Sequence, residues 1–477
     1  MPAYNPVPLV FTSTKQTSEG HQFILDIYSA GTTSNRITRE KTPANPQGYG
    51  VFESHAILRN FVGYDMNDPN STGVTSSYPS RFKYDLYLGE EYVFDWDFGD
   101  NFFTAGSVGF TSFTSTQHYF SVGDSVYIEQ DPGYTHEEYN GVHTITSVPT
   151  SYSFVIDLAY EGSTPLNPGT VRYADNRKTI FSGMSAIRSL WVNNAAISHL
   201  DWPSYDVDTF NMTGLSASFW TDAPDNYEMQ LGNKAWLNFY SSTGGTAMSK
   251  LIVQTYDKND NQLGIYTLNI AGSSNETYYK VGCGPWNLSA TTLTVSGSST
   301  LPVFTTEVAS YTFYIQDTPG NQLTESKTFK INQDCENRYD NIEILFGDRK
   351  GSFLTRNFQL AHTEGDEIDK GEYTKPIGNY NPASNKWTYA SKDAGRTTLY
   401  SNAQTKYRAV SNWIDINDVD YLRQLYSSSQ VYWNRGGTLI PIIVTNKFHP
   451  IASLEVDRIF NLTIEFELAY MNEIPCN

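Results

Sequence analysis

The chain reads as a mainly β, multi-domain protein: antiparallel β-sandwiches with an inserted small β-barrel and a C-terminal β-rich α+β domain. Three observations predict this. Apolar and polar residues alternate in many short runs. The clearest is Phe460–Leu468, where Phe460, Leu462, Ile464, Phe466 and Leu468 share one face and Asn461, Thr463, Glu465 and Glu467 the other. Aromatic residues make up 14% of the sequence, including 34 Tyr and 26 Phe, against 17% charged residues. Such side chains pack across strands, while the small polar residues between them make turns. Gly, Pro and Asn clusters punctuate the apolar runs throughout. At 477 residues the chain has room for roughly two to four domains of 100–200 residues each.

Residues 1–97 are expected to form an N-terminal sandwich, because Phe23–Tyr28 and Glu91–Phe94 are separated from other apolar runs by TSEG, SAGTTSN and PANPQG. Within it, Ser54–Val62 predicts one or two helical turns, with Ser54 as cap and Ile57, Leu58 and Phe61 as the apolar positions. Residues 98–173 read as an inserted SH3-like or OB-like barrel with turn signals at Gly123-Asp124, Pro132-Gly133 and Asn140-Gly141. Asn140-Gly141 is the strongest hairpin signal of the chain. An elongated hairpin of the parent domain is the alternative for this segment. The run Met184–His199 is too β-branched for a good helix and its conformation stays open.

Residues 174–330 form a second sandwich region. Its strands are Trp236–Tyr240, Leu251–Tyr256, Ile265–Ile270 and Tyr311–Ile315, and it ends near Ile331. Residues 331–477 are the C-terminal domain. Asn417 can cap a helix with Asp418 and Asp420 in its first turn, and Val419, Leu422, Leu425 and Tyr426 form one apolar stripe. That helix should cover strands around Ile342–Phe346, Leu439–Val444 and Phe460–Leu468. No internal repeat or low-complexity tract is evident.

Thirty-two basic against fifty-one acidic residues give a net charge of −19, which repels a phosphate backbone and disfavours nucleic-acid binding. Cys283, Cys335 and Cys476 are far apart and unclustered, so neither a disulfide framework nor a zinc site is expected. No secretory leader or long apolar run is present, so membrane insertion is not expected and synthesis in a cytoplasm is. The sequons at Asn275 and Asn461 then carry no glycosylation argument.

Chemistry is hard to find. Asp95, Asp97 and Asp100 suggest a cation site or a glycosidase pair, but aspartates among aromatics also describe a strand edge entering a turn. The run Asp257–Gly264 imitates a calcium loop at positions one, three and five, then has Gln262 where glycine is needed and Leu268 where a bidentate Glu is needed. A hairpin turn accounts for it. The histidines lack metal spacing, no G-x-S-x-G is present, and the glycine-rich Ser241–Thr246 lacks a phosphate-loop lysine. Trp191, Trp202, Trp220 and Tyr278-Tyr279 are candidates for glycan or protein recognition, with core packing as the competing reading. No residue is nominated as catalytic, cofactor-binding or metal-ligating, and no cofactor is expected.

The C-terminal third runs from CENRYDNIEILFGDRKGSFLTRNF at Cys335 through AVSNWIDINDVDYLRQLYSSSQVYWNR and LIPIIVTNKF to the final alternating strand. This succession resembles virion structural proteins, tail or tail-tip components, of tailed bacteriophages infecting Bacteroidota, including crAss-like phages. The resemblance implies a non-enzymatic subunit of a tail, tail tip or baseplate that forms a homo-oligomeric ring or sleeve and touches other tail, collar or baseplate proteins. An upper collar or connector component is the alternative that residues 331–477 leave open. In such a ring, the long run Glu364 to Asn385 is expected to be a loop ordered by assembly. A receptor- or carbohydrate-binding fibre or adhesin that contacts host surface glycan is the second class. A polysaccharide hydrolase is the third.

Overall fold

The computed structural model describes residues 2–6, 8–18, 20–32, 34–93, 96–104, 111–130, 139–159, 169–174, 180–181, 183–210, 212, 217–241, 248–270, 277–295, 302–332, 339–390, 392, 395–446, 459–470 and 472–473. The protein is mainly β, with antiparallel sheets dominating and helices confined to short pieces. The chain divides into two compact units. One holds Ala3–Asn60 and Phe82–Val192, the other Phe61–Arg81 and Asn193–Asn477.

In the first unit, Gln22–Ser29 lies between Arg36–Pro43 and Arg81–Tyr92, and Ile180–Phe181 and Ser185–Asn193 both pair with the latter. The run whose conformation was open, Met184–His199, thus contributes a strand. Asp26 is fully buried in the central strand and stands opposite Arg39, whose guanidinium donates to both carboxylate oxygens at 2.7 Å. Burial pushes the Asp26 carboxyl up, but Arg39 and Arg36 outweigh it and hold the group below the usual carboxylate range. Ser54 precedes the helical turns His55–Leu58 and Arg59–Phe61 but makes no side-chain cap, and only Leu58 is buried there.

Residues 96–173 form a closed, antiparallel six-stranded barrel, ordered Gly141–Thr150, Ser153–Ile156, Thr111–Ser115, Trp96–Thr104, Gly169–Tyr173 and Ser125–Gln130. It interrupts the sheet between Tyr92 and Ile180, which are paired directly. Its core contains Phe113, Phe120, Val126, Ile128, Ile145, Phe154 and Val171. The Phe113 and Phe154 rings stack at 5.0 Å, and Phe120 meets Phe154 edge-on. Asn140-Gly141 is not a tight hairpin. Gly141, at φ +120°, opens a strand whose antiparallel partner ends eleven residues earlier, at Gln130, while the two-residue turn falls at Ser151-Tyr152, between paired Thr150 and Ser153. A local Asn-Gly preference is overridden here by the barrel's strand pairing. Pro132-Gly133 lies outside the described residues.

The second unit has two sheets over one core. A six-stranded sheet runs Tyr227–Met229, Lys327–Ile331, Ser310–Asp317, Met248–Tyr256, Gln262–Asn269 and Thr294–Val295. An eleven-stranded sheet runs from His362–Thr374 through Arg396–Val410, Thr463–Leu468, Thr438–Val444, Val431–Arg435, Ile342–Gly347, Phe353–Phe358, Trp236–Ser241 and Thr277–Gly282 to Val74–Ser76, with Asn472–Glu473 beside Arg396–Val410. The expected boundary at 330/331 falls inside this arrangement, because Trp236–Ser241 and Phe353–Phe358 are neighbours in one sheet. The four strands anticipated between Trp236 and Ile315 are all present.

The helix Ile416–Ser427 buries Val419, Leu422 and Leu425 in the shared core, and the partly buried Tyr426 donates to the Thr463 carbonyl at 3.0 Å. It begins before Asn417, so that residue lies inside the first turn instead of ahead of it, and its side chain is not among those described. The last strand also starts later than its alternation suggests. Ile459–Phe460 pairs with Ile414–Asp415, and the ladder resumes at Thr463 after buried Leu462, whose N–H donates to Ser411 Oγ.

The segment Phe61–Arg81, expected within an N-terminal domain, belongs to the second unit. Two buried lysines hold it. Lys234 Nζ donates to Asn70 Oδ1 at 2.8 Å and lies over the Trp286 ring, while Lys280 Nζ donates to the Asp65 carbonyl at 3.1 Å. Burial pulls both ammonium groups below lysine's ordinary range. Trp236 Nε1 and Asn287 Nδ2 both donate to the Ser71 carbonyl at 3.0 Å. These contacts join residues more than 150 positions apart, which no local pattern can report.

Candidate interaction surface

The run from Glu364 to Asn385 is not a loop. His362–Thr374 is a thirteen-residue strand in continuous antiparallel register with Arg396–Val410, broken once by a bulge at Gly371/Glu372. Beyond it, Asn379–Asn381 pairs with Lys386–Thr388 to make a small terminal hairpin. Only the base of this arm is sandwiched. Lys406–Val410 pairs with Thr463–Glu467, and Asn402-Ala403 with Asn472-Glu473, so from Lys370 outward the arm has no further neighbour among the described residues. At about 3.3 Å per residue, the thirteen-residue strand is roughly 40 Å long.

On the outer strand both faces are wet, since Thr363 to Lys370 are exposed without a break, while the inner strand buries Ser401, Tyr407 and Ala409 toward its base. Cross-strand pairs take the place of a buried face. Arg396 bridges Glu372, Lys406 bridges Glu367, Thr405 Oγ1 donates to Asp366 at 2.8 Å, and the Tyr407 hydroxyl donates to Glu364 at 3.0 Å. At the bulge the Tyr400 ring lies over Gly371, where a Cβ would stand 2.3 Å from it. The strand Arg396–Val410 is the basic partner of an acidic one.

The tip is ordered by its own contacts. Trp387 Nε1 donates to the Ile377 carbonyl at 2.7 Å, Tyr380 bonds Asn385, and Gly378 takes φ +88° with the Thr388 carbonyl 2.4 Å from where a Cβ would be. It nonetheless presents Tyr380 (53% exposed), Trp387 (50%) and Tyr389 (73%), with Ile377 and Leu399 beside them in the hairpin. Large apolar side chains gathered on one exposed element mark interaction sites in soluble proteins.

The most polar interior feature is the turn Asp348–Ser352, the GDRKGS motif of the sequence. Asp348 is fully buried. Its Oδ1 accepts the N–H groups of Lys350 and Ser352 at 3.0 and 2.9 Å, and its Oδ2 accepts the Thr221 hydroxyl at 2.6 Å and the Asp222 N–H at 3.3 Å. Burial, then the neighbouring Asp222 charge, pushes the Asp348 carboxyl up to about 7. Burial also raises Asp222, but Lys350 at 3.0 Å and Arg349 at 2.8 Å outweigh it and hold that carboxyl below its usual range. Two carboxyls driven apart resemble an acid–base pair. Here every oxygen is taken by a protein donor and Asp348 is sealed, so the arrangement locks a hairpin turn onto residues 221–222 and the helix, through Gln424.

The residues nominated from the sequence are scattered. Asp95 lies outside the described residues, and Asp97 and Asp100 fall in the barrel strand Trp96–Thr104, with side chains that are not described. Asp257 closes a hairpin turn, accepting the N–H groups of Asn259 and Asn261 and the Asn261 amide. An open cleft of about 760 Å³ adjoins this turn, lined by residues that include Lys258, Glu307 and Ile331. Trp220 and Tyr278, 3% and 1% exposed, form one buried cluster with the partly buried Trp202, and Tyr279 is also core. Trp191 is half-buried beneath the Lys83 ammonium. Cys283 is buried and free, and Cys335 and Cys476 lie outside the described residues. Among the described residues no group of three or more His, Cys, Asp or Glu could hold a metal ion, and no helix is long and apolar enough to cross a membrane. The exposed rings of the arm tip were not singled out in the sequence, where KPIGNYNPASNKWTYA reads as a polar, Pro-containing loop.

No protein-family model matches the chain, and no curated protein does. Among solved structures the chain is similar to the phage phi92 endosialidase, at 12% identity and a TM-score of 0.19, over 97% of this chain and 69% of that one. At that TM-score the likeness carries no argument about activity.

Proposed function

We propose that this chain is a non-enzymatic structural subunit of a tailed-phage particle, part of a tail, tail tip or baseplate, that assembles into a homo-oligomeric ring or sleeve. The resemblance of the C-terminal third to virion proteins of Bacteroidota phages supplies the particle. The observation that carries the assembly is the arm: a long hairpin whose outer strand is wet on both faces, ending in a preset group of aromatic rings. A strand that buries neither face adds little to the stability of its own chain, because strand pairs need a packed face to be stable in water. Its aromatic tip has a use once another molecule covers it. Repeated contacts between identical copies then give closed rings when the rotation closes. On this reading the protein is made in the host cytoplasm, resides in the virion, and touches collar, tail or baseplate neighbours.

The test is electron microscopy and light scattering on the purified chain beside a variant in which residues 376–394 are replaced by Asn-Gly. The expected result is rings or discrete oligomers for the intact chain and monomers for the variant. A monomer at every concentration, with proposed neighbours present, sinks the reading.

A second reading, a receptor- or carbohydrate-binding virion protein, is favoured by the same rings, since Trp and Tyr faces stack on sugars. Binding of host-surface glycan by the intact chain, lost in the shortened variant without any change in oligomeric state, would select it.

A further inference from the structure

We propose that the arm tip of one copy docks on the acidic arm strand of a second copy of this chain. This inference rests on the assembly reading above and names the two surfaces that meet. The strand His362–Thr374 forms the outermost edge of its sheet and carries five acids and Lys370; Lys406 and Arg396 of the neighbouring strand pair with Glu367 and Glu372, which leaves Glu364, Asp366 and Asp369 with no ion pair among the described residues. The tip, residues 375–395, carries Lys375, Lys386 and Lys392 against Asp393. All three lysines are exposed and make no ion pair among the described residues. On a chain of net charge −19, three free cations gathered beside three exposed rings are a local inversion of sign.

Geometry directs the tip to another molecule. The rigid ladder places residue 374 about 30 Å from Glu364 at roughly 3.3 Å per residue, so a tip cannot fold back along its own strand. Two acidic edges repel one another, which blocks edge-to-edge pairing of like strands. A basic tip meeting an acidic edge is the contact that this charge pattern favours, and complementary charge sets register and partner choice. The rings supply apolar burial, and their fixation by Trp387 and Tyr380 hydrogen bonds removes part of the ordering cost of binding. Each copy has one tip and one edge. A head-to-tail arrangement uses both, as a ring requires.

The experiment is a charge swap in the full chain, read by analytical ultracentrifugation, with circular dichroism and thermal melting as folding controls. K375E/K386E/K392E and, separately, E364K/D366K/D369K should each raise the concentration needed for assembly by at least about tenfold. Mixing the two variants should restore it, because each tip then faces an edge of opposite sign. The milder E364Q/D366N/D369N serves where the reversed strand melts early, and it should weaken assembly in the same direction. If the intact chain assembles and both swaps assemble equally well, or the mixture fails to recover, this contact is wrong while the ring reading stands. If the intact chain remains monomeric, both fall. Binding of the tip to phosphatidylglycerol vesicles or to host glycan, lost on lysine reversal while self-assembly is unchanged, also overturns it.

Discussion

Asp348 shows what a single residue can hide. In the sequence it is one letter of GDRKGS, part of the succession that carries the family resemblance, and nothing nearby says that it is buried. Its partners Thr221 and Asp222 lie 127 and 126 positions away, and Gln424 reaches the same turn from 75 positions in the other direction. The pH consequence follows from its raised pKa. A carboxyl that holds its proton more tightly when folded contributes stability fully present below its unfolded value near 3.8 and lost as pH rises through about 7. Asp222 and Asp26 shift the other way, so their contributions are present above that same value and are lost only on further acidification. The two windows do not overlap. Asp348→Asn keeps an acceptor for the Lys350 and Ser352 N–H groups and removes the titration. Urea midpoints at pH 5 and pH 8 should therefore differ less in the variant than in the parent chain. An equal difference in both would show that another group carries the neutral limb.

Among elements, legibility followed the buried face. Ser310–Asp317 packs one side against the core and alternates, while Trp236–Ser241 and the centre of Met248–Tyr256 are buried on both faces and their apolar residues run together, so all three strands are readable. The arm strand HTEGDEIDKGEYT has no buried side, hence no period, and reads as a loop although its pairing is the longest among the described residues. The turn at Asp257 is legible because a side chain makes it, and the structure adds a second that the sequence reading does not single out. Asp257–Asn261 and Asp317–Asn321 are the same device: the first Asp accepts main-chain N–H groups and the terminal Asn amide, and the fourth residue has positive φ. That fourth residue is Gly320 at φ +101° in one turn and Asp260 at φ +62° in the other. Asp260 is under mild strain, because the left-handed region is costly for residues with a Cβ. Asp260→Gly relieves it, while glycine's greater freedom in the unfolded chain takes some of the gain back. The net expectation is a stabilisation of about 0.5 kcal/mol by urea denaturation. A loss of stability would mean that the Asp260 side chain contributes more than its backbone strain costs.

At the scale of the whole chain, the sequence order and the spatial order part company. Phe61–Arg81 leaves the first unit for the second, and strands on both sides of residue 330 share a sheet, because strand pairing is decided by long-range burial that composition does not encode. The barrel is the exception, and it yields the last prediction. Among the described residues its core cluster draws only on positions 113–173, and its strand order closes on itself without borrowing an edge from outside. The chain departs after Tyr92 and returns at Ile180, two residues that are partners in the parent sheet, where paired Cα atoms stand about 5 Å apart. A two- to four-residue Gly/Ser link is enough to span that gap. Deleting residues 96–173 with such a link should leave a cooperative unfolding transition in the remaining chain. The excised fragment should fold alone, since a barrel has no open edge to aggregate through and about 80 residues can sustain a small core. The fragment should give dispersed amide resonances, and Phe154→Ala should cost it about 3–5 kcal/mol by removing the ring that Phe113 stacks on and Phe120 meets edge-on. An undispersed spectrum for the fragment, or loss of cooperative unfolding in the deleted chain, would show that the two parts depend on each other across the 92/180 junction.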